Sequence, residues 1–225
     1  RISFIIIVFI IIITAAQAFS STRFYLPSTG AAEVSPAMSG TVWNGGTASA
    51  DRIKCVTYKV YSAITNKSVL GIITNNSYAL NRQFVSNPIA AQTISGTVQG
   101  QVAGFYATRT EAPSVRITLV SNDGQTVRGT LLSITLGNNY PTVTATNRMA
   151  PASQALTNVL TSESGDRIVI EIGGNKTANG SSADLTQAFG DSAASDYTAG
   201  NESETGLNPW VEFSQDIRFP GVVLE

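Results

Sequence analysis

Short runs of alternating apolar and polar residues, separated by turn residues, recur along most of this sequence. Residues 115–120 read Val-Arg-Ile-Thr-Leu-Val, and a similar run over 127–136 follows Asp123-Gly124. Alternation with a period of two is typical of a half-buried strand, and Asp-Gly between two such runs is a strong hairpin signal. The sequence therefore predicts a β-hairpin across this turn.

Several further segments show strand-like patterns. They are residues 56–61, 94–105, 167–172 and 210–217, with a shorter run at 185–189 inside a polar, turn-rich stretch. Turn signals fall about every ten residues, which is typical of β-sandwiches. Residues 155–160 could form at most a helical turn. We therefore predict an all-β fold, a single antiparallel, jelly-roll-like β-sandwich over residues 21–225.

The first twenty residues have a different character. Residues 4–13 are ten apolar residues in a row, Arg1 precedes them, and Ala16-Gln17-Ala18 follows. A basic residue, a short apolar run and a small-x-small site make up a secretory signal, and cleavage would follow Ala18. The run is short for a membrane span, which needs about 20 residues.

Other interpretations of this apolar leader stay open. It could act as a membrane anchor or as an assembly segment, either a pilin-like helix or a strand donated to another subunit. It could also be an artefact of translation start or reading frame. As an assembly segment it would make contact through Ile5, Ile6, Ile7, Phe9 and Ile10. We take residues 1–20 as a leader, expected to be helical.

Composition excludes several classes of function. The net charge is -1, and charged residues make up only 13% of the chain, compared with about 25% in an ordinary domain. Such a balance gives no electrostatic footprint for nucleic acid. The chain has no His and a single Cys, so the commonest general base, an internal disulfide and a Cys-based zinc site are excluded.

Two places could bind a ligand. Asp184, Asp191 and Asp196 lie in a Gly/Ser/Thr-rich stretch, and Ca²⁺ prefers such oxygen ligands on irregular backbone; a solvated acidic loop is the alternative. Trp43 stands beside Asn44-Gly45-Gly46, where an exposed indole could stack on a glycan.

No pattern indicates catalysis. Glu163, Asp166 and Glu171 are acids without the spacing of a catalytic pair. The Lys residues lie in no Ser-x-x-Lys setting that would activate a nucleophile. We therefore expect no enzyme and, Ca²⁺ aside, no cofactor. Cys55, in residues 53–57 where we predict a strand, reads as a buried, inert thiol, and Trp210 as a core residue.

Nine short blocks carry a resemblance to a known family. They are residues 23–30, 34–36, Trp43, 82–86, 89–97, 120–124, 127–131, 165–173 and 208–214. In this order they resemble a family of poorly characterised, virion-associated proteins from tailed-phage genomes and environmental viral sequences. The resemblance implies a jelly-roll-like β-sandwich and lends no catalytic residues. Family members typically start near the Phe-Tyr-Leu-Pro block, so the apolar leader is a departure.

These observations favour a non-enzymatic structural subunit of a virion or an extracellular assembly. Its partners would be copies of itself or other structural subunits, with no nucleic acid. Membrane contact would occur only through the N-terminal segment, and surface glycans are a further candidate ligand. The alternatives are a filament subunit with the leader in the fibre core and a secreted carbohydrate-binding module.

Overall fold

The structure is a computed structural model, and it describes residues 21–38, 42–43, 52–69, 78–106, 111–135, 146–149, 153–176, 185–190 and 209–221. In these ranges every regular element is a β-strand, which confirms the predicted all-β class. The leader, residues 1–20, lies outside the described residues, and its separation from a domain over 21–225 stays a prediction.

Fifteen strands are described. They are β1 (Thr22–Tyr25), β2 (Val42–Trp43), β3 (Arg52–Lys54), β4 (Thr65–Val69), β5 (Tyr78–Val85), β6 (Gln92–Ile94), β7 (Thr97–Tyr106), β8 (Glu111–Val120), β9 (Val127–Thr135), β10 (Thr146–Met149), β11 (Gln154–Ala155), β12 (Leu160–Ser162), β13 (Arg167–Lys176), β14 (Leu185–Phe189) and β15 (Trp210–Phe213).

The first sheet is built on both edges of β7. Strands β15 and β14 lie end to end along one edge of β7, with β1 beside β15 and β4 beside β14. Strands β10 and β11 lie along the other edge. Gln101 of β7 shows this, since it pairs with Trp210 of β15 on one side and with Met149 of β10 on the other. All of these pairings are antiparallel.

The second sheet is built on β13, which runs between β5 and β8. Its order is β2-β5-β13-β8-β9, and β3 also pairs with β5. Strands β2 and β3 run parallel to β5, whereas the other pairings are antiparallel. A small third sheet joins β6 to β12.

The main hydrophobic core joins the two large sheets. Ile168, Ile170 and Ile172 alternate along β13 and are fully buried. They share the core with side chains of the first sheet, and Phe84 meets Phe189 at 5.3 Å between ring centroids. Burying one such side chain stabilises the fold by roughly 1.5–3 kcal/mol, so this β-sandwich core is the main source of stability.

A buried polar link also joins the sheets. The register between β5 and β13 shifts at Ile172/Gly173, which leaves Asn81 as an extra residue in β5. The Asn81 amide donates to Gln187 Oε1 at 3.2 Å, and Gln187 Nε2 donates to the Gly173 carbonyl at 2.9 Å. The bulge thus turns a polar side chain inward, where β14 satisfies it.

Residues 31–38 form a strap across the outer face of the second sheet. Ala32 and Val34 pack on the buried side chains of Val85, Val120 and Val169. The strap is fastened where the Glu33 carboxylate accepts hydrogen bonds from Lys54 Nζ at 2.8 Å and from Arg167 Nη2 at 3.0 Å. Strand β13 is consequently buried on both faces, although only one of them faces the other large sheet.

The predicted hairpin at Asp123-Gly124 is confirmed. Gly124 has φ +75°, and the Asp123 carboxylate accepts hydrogen bonds from the Ser121 hydroxyl and the Gln125 backbone. These bonds, the Ser121 one first, lower the pKa of Asp123. The predicted strands at 167–172 and 185–189 are also present, as β13 and β14.

Other local predictions need correction. The run over 94–105 is divided into β6 and β7 by Gly96, at φ +94°. The run over 210–217 is a strand only as far as Phe213. Residues 155–160 form no helical turn, because Ala155 ends β11 and Leu160 begins β12. Cys55 follows β3 rather than lying within a strand.

The Glu33 contacts predict a pH-dependent stability. Hydrogen bonds from Lys54 and then Arg167 lower the pKa of Glu33 below its ordinary 4.5. Because the pKa of Glu33 is lower in the folded state than in the unfolded state, its contribution to the free energy of unfolding is complete above the ordinary pKa. That contribution is lost as the pH falls through the pKa of the folded state. Glu33→Gln should therefore lower the free energy of unfolding by about 1 kcal/mol at neutral pH, a modest amount because solvent screens a half-exposed carboxylate.

Urea unfolding of both proteins at about pH 7 and about pH 3 measures this difference. We expect the two free energies of unfolding to converge at the lower pH. An equal loss at both pH values would mean that Glu33 acts through packing rather than through its charge.

Candidate assembly surface

The loop over residues 57–64 leads from Val56, beside β1, to β4, which lies on the same side of the first sheet. The alternating run over 56–61 predicts a strand there, and that prediction is wrong. Only Val56 pairs, through a two-way backbone bridge with Tyr25 at 2.8 and 3.4 Å. The chain then bends away and enters β4 at Thr65.

The backbone of this loop is held from its inner side. The Ser28 backbone N–H donates to Ser62 Oγ at 3.1 Å, and the Ser28 hydroxyl donates to the Ala63 carbonyl. Gly190, at φ +110°, passes so close that a Cβ there would lie 2.5 Å from the Ala63 oxygen. The loop is therefore fixed on the sandwich by two separate segments of chain.

Four large apolar side chains of the loop face solvent. The exposed fractions are 67% for Tyr58, 42% for Val60, 62% for Tyr61 and 38% for Ile64. We call these four side chains the tyrosine patch. In the rest of the described chain, the exposed large hydrophobics are single valines, Val127 and Val159. Within the described residues, the exposed large apolar side chains are therefore concentrated in one short loop, and such concentrations are common at binding surfaces.

Tyr61 adopts a backbone conformation that is unfavourable for its type. Its φ is +54°, in the left-handed region that costs an L-residue roughly 1–2 kcal/mol. Asn or Gly would occupy this position at lower cost. Since the Tyr61 ring lies largely in solvent, its contacts within the described fold do not repay that cost.

The loop that carries the tyrosine patch has little charge of its own. Lys59 is the one charged residue of the 57–64 sequence, and its ammonium lies 5.9 Å from the centre of the Tyr25 ring. This separation is at the outer limit of a cation–π contact. The patch therefore offers aromatic and aliphatic surface to a partner, and the ammonium group of Lys59 lies on the side of Tyr25.

The acids considered for catalysis serve structural contacts. Arg128 Nη2 lies 2.5 Å from Glu163 Oε2 and 3.3 Å from Asp166 Oδ1, which ties β9 to the turn before β13. The buried Glu171 accepts a hydrogen bond from Gln83 Nε2 at 3.0 Å. These contacts fit the structural roles that such residues commonly have in strands and turns.

A polar groove lies beside the start of β7 and the end of β15. One cavity of about 130 Å³ is lined by Thr97, Gln99, Ser153, Glu212 and Ser214. A wider one of about 530 Å³ shares Ser214 with it. Glu212 is already engaged, since Oε2 accepts from Arg23 Nε at 2.7 Å and Oε1 from Gln99 Nε2 at 3.2 Å.

Most of the site residues suggested by the sequence cannot be compared with the structure. The acidic candidates Asp184, Asp191 and Asp196 and the leader residues Ile5, Ile6, Ile7, Phe9 and Ile10 lie outside the described residues. Trp43 falls in β2, but its side chain is not among those described. Within the described ranges, no group of three His, Cys, Asp or Glu could hold a metal ion.

Cys55 and Trp210 are buried, as predicted. Cys55 is 1% exposed, and desolvation by burial raises the pKa of its thiol, so the reactive thiolate is suppressed. Trp210 is 3% exposed, but it lies on the outward side of the first sheet, where the Arg23 guanidinium stacks 4.0 Å from its ring centre.

Comparisons with known proteins assign no family. No protein-family model matches the sequence, and no curated protein matches it. The predicted phage-family membership therefore remains a hypothesis. The part of the chain that the structure describes contains no helix long and apolar enough to cross a membrane.

Solved structures give distant similarities. A CocE/NonD family hydrolase from Staphylococcus aureus aligns with a TM-score of 0.35 and 8% identity, over 90% of this chain and 36% of the hydrolase. The VP2 subviral particle of infectious bursal disease virus aligns with a TM-score of 0.26 and 14% identity, over 73% of this chain and 41% of that one.

The T13 particle of the same virus aligns with a TM-score of 0.26 and 15% identity, over 73% of this chain and 38% of that one. This chain thus spans well under half the length of each of the three proteins. With TM-scores below 0.5, the alignments transfer neither hydrolase activity nor capsid assembly to it.

The close approach at Gly190 predicts that a side chain at this position lowers the free energy of unfolding. In Gly190→Ala the new methyl group must displace the Ala63 carbonyl and adopt φ +110°, so we expect the free energy of unfolding to fall by more than about 2 kcal/mol. Gly30→Ala is the matched control, because φ is +100° there and no atom lies within 4 Å. Equal losses in the two variants, measured by urea unfolding, would show that Gly190 does not hold the loop.

Proposed function

We propose that this protein is a non-enzymatic structural subunit of a virion or an extracellular assembly. It acts by self-association through surfaces of the β-sandwich and a shared N-terminal segment. The observation that carries the proposal is the tyrosine patch, a cluster of exposed apolar side chains on a loop that is fixed from within.

The size of the patch supports association. Aromatic side chains have about 150–250 Å² of surface each, and about two thirds of Tyr58 and Tyr61 is exposed. At about 25 cal/mol per Å², covering both rings would contribute on the order of 5 kcal/mol before the costs of association. Tyrosine is also enriched among the residues that dominate binding energy at interfaces.

The conformation of Tyr61 supports the same role. A left-handed backbone carrying an exposed aromatic ring costs stability in the isolated subunit. Strain of this kind is commonly found at functional positions, where it is repaid by binding. Contact with a neighbouring subunit would cover the ring and repay the strain.

Features of the whole sequence agree with an assembly role. The low charge content limits repulsion between copies, and the described acids are tied into contacts that hold strands and turns together. The resemblance to virion-associated proteins and the apolar leader favour the same role. A filament subunit, with the leader in the fibre core, is the variant of this proposal in which assembly is helical.

A carbohydrate-binding module is the second candidate function. The polar groove favours it, because the hydroxyl, amide and carboxylate groups of Thr97, Gln99, Ser153, Glu212 and Ser214 are of the types that bind sugar hydroxyls. A glycan array tests this candidate, and binding lost in Trp43→Ala or Gln99→Ala would support it. A sugar site would add to the assembly role rather than replace it.

Replacing Tyr61 with Asn separates association from folding. Asn accepts the left-handed backbone, so Tyr61→Asn should leave the free energy of unfolding equal or raised. The dissociation constant of the assembly should rise by at least about tenfold, or about 1.4 kcal/mol, as measured by analytical ultracentrifugation and electron microscopy.

Val159→Ser is the matched control, because Val159 is 64% exposed and belongs to another segment, between β11 and β12. It should assemble as the natural chain does. A natural chain that stays monomeric at all concentrations, or a Tyr61→Asn variant that assembles normally, would contradict the proposal. Turnover of any substrate by the purified chain would contradict the proposal that the protein is not an enzyme.

A further inference from the structure

We infer that the tyrosine patch of one copy binds the apolar segment of residues 4–13 from a neighbouring copy. This inference rests on the proposed function, and it names the two surfaces that meet. It joins the most apolar stretch of the sequence to the surface where the described fold exposes the most apolar area.

The first argument is chemical complementarity. Residues 4–13 comprise seven Ile, two Phe and one Val, with no charge or hydrogen-bonding side chain. Leaving each such side chain in water costs roughly 1.5–3 kcal/mol relative to burial. Tyr58 and Tyr61 present aromatic area, Val60 and Ile64 present aliphatic area, and no acidic residue occurs in the 57–64 sequence.

The second argument is the direction in which the chain enters the sandwich. Strand β1 begins at Thr22, opposite Phe213 of β15, and runs toward Tyr25, which bridges Val56 just before the loop. The patch therefore lies near the end of β1, and the leader joins at its beginning. The two points are separated by about 10 Å of strand.

The start of β1 is also held in place. Thr22 Oγ1 accepts a hydrogen bond from the Ile217 backbone N–H at 2.8 Å, and Arg23 is paired with Glu212. The leader is therefore attached at the end of β1 that is farther from the patch of its own subunit. This point of attachment favours contact with the patch of a neighbouring copy.

Such a contact joins two different parts of the chain, so it is either reciprocal or heterologous. A reciprocal contact closes a two-fold dimer in which two copies exchange segments, and a heterologous contact repeats head to tail into a ring or a filament. Both arrangements differ from a two-fold dimer in which one patch meets another.

Site-specific cross-linking of the full-length chain tests the contact. The single natural thiol, Cys55, is buried, so introduced cysteines can be addressed selectively. Chains carrying Phe9→Cys are mixed with mass-tagged chains carrying Tyr58→Cys and treated with a short bis-maleimide. We expect a covalent heterodimer that carries one tag, identified by gel electrophoresis and mass spectrometry.

Two controls make the result specific. In the first control, the tagged chain carries Val159→Cys instead of Tyr58→Cys. Val159 is exposed and lies between β11 and β12, so the yield of heterodimer should fall at least tenfold. Adding Ile7→Asp to the Phe9→Cys chain should do the same, while the β-sandwich keeps its circular dichroism spectrum and unfolding midpoint.

The other outcomes overturn the inference and remain distinguishable from failure of the proposed function. Dominant Tyr58→Cys homodimers would mean that patch meets patch. Cross-linking within one chain that carries both cysteines, at high dilution, would mean that the segment covers its own patch. An assembled natural chain whose intact mass lacks residues 1–18 would have no segment to donate. In the first and third cases assembly through the patch survives, and in the second the patch is covered within one chain, so that assembly must use other surfaces. Unchanged assembly of Tyr61→Asn, in contrast, would contradict the proposed function itself.

Discussion

Burial of β13 on both of its faces is the constraint on which the rest of the fold depends. Its Ile168, Ile170 and Ile172 side chains share the core with the first sheet. The opposite face carries Val169, Glu171 and Arg167, which are buried as well. An antiparallel sheet usually leaves one face in water, so this sheet needs a cover, and the strap over residues 31–38 provides part of it through Glu33 and Val34.

The first sheet depends on a single strand in a similar way. Strand β7 pairs with four others, and it brings together segments that are distant in the sequence. This arrangement places β1, and Gly190 at the end of β14, around the 57–64 loop. The position of the tyrosine patch is thus a consequence of long-range strand pairing rather than of the loop sequence alone.

Local sequence patterns predicted much of the fold. Asp123-Gly124 specified a hairpin, and alternation identified β8, β9 and β13, because those signals depend only on neighbouring residues. The parallel pairing of β2 and β3 with β5 was not predictable, since it is decided by contacts between residues that are 37 and 31 positions apart. Trp210 was predicted to be buried. Its stacking against Arg23 could not be predicted, because it depends on the pairing of β15 with β1.

The candidate site was missed for a physical reason. Residues 56–61 alternate as a strand does, and alternation reports a pattern of side chains without saying whether a partner strand is present. The left-handed backbone of Tyr61 could not be predicted from the sequence, because Tyr rarely adopts this conformation. The contact of Gly190 with Ala63 joins residues 127 positions apart, so the exposed loop could be recognised only in three dimensions.

The place of β15 has a consequence for biosynthesis. This strand lies between β1 and β7, and it pairs residues 22–25 with residues 210–213. During translation β1 emerges first and β15 near the end, so the first sheet cannot close until the ribosome has made almost the whole described chain. Topologies dominated by such distant pairings fold slowly. The first sheet of a nascent subunit therefore stays incomplete until nearly all of the described chain has been synthesised.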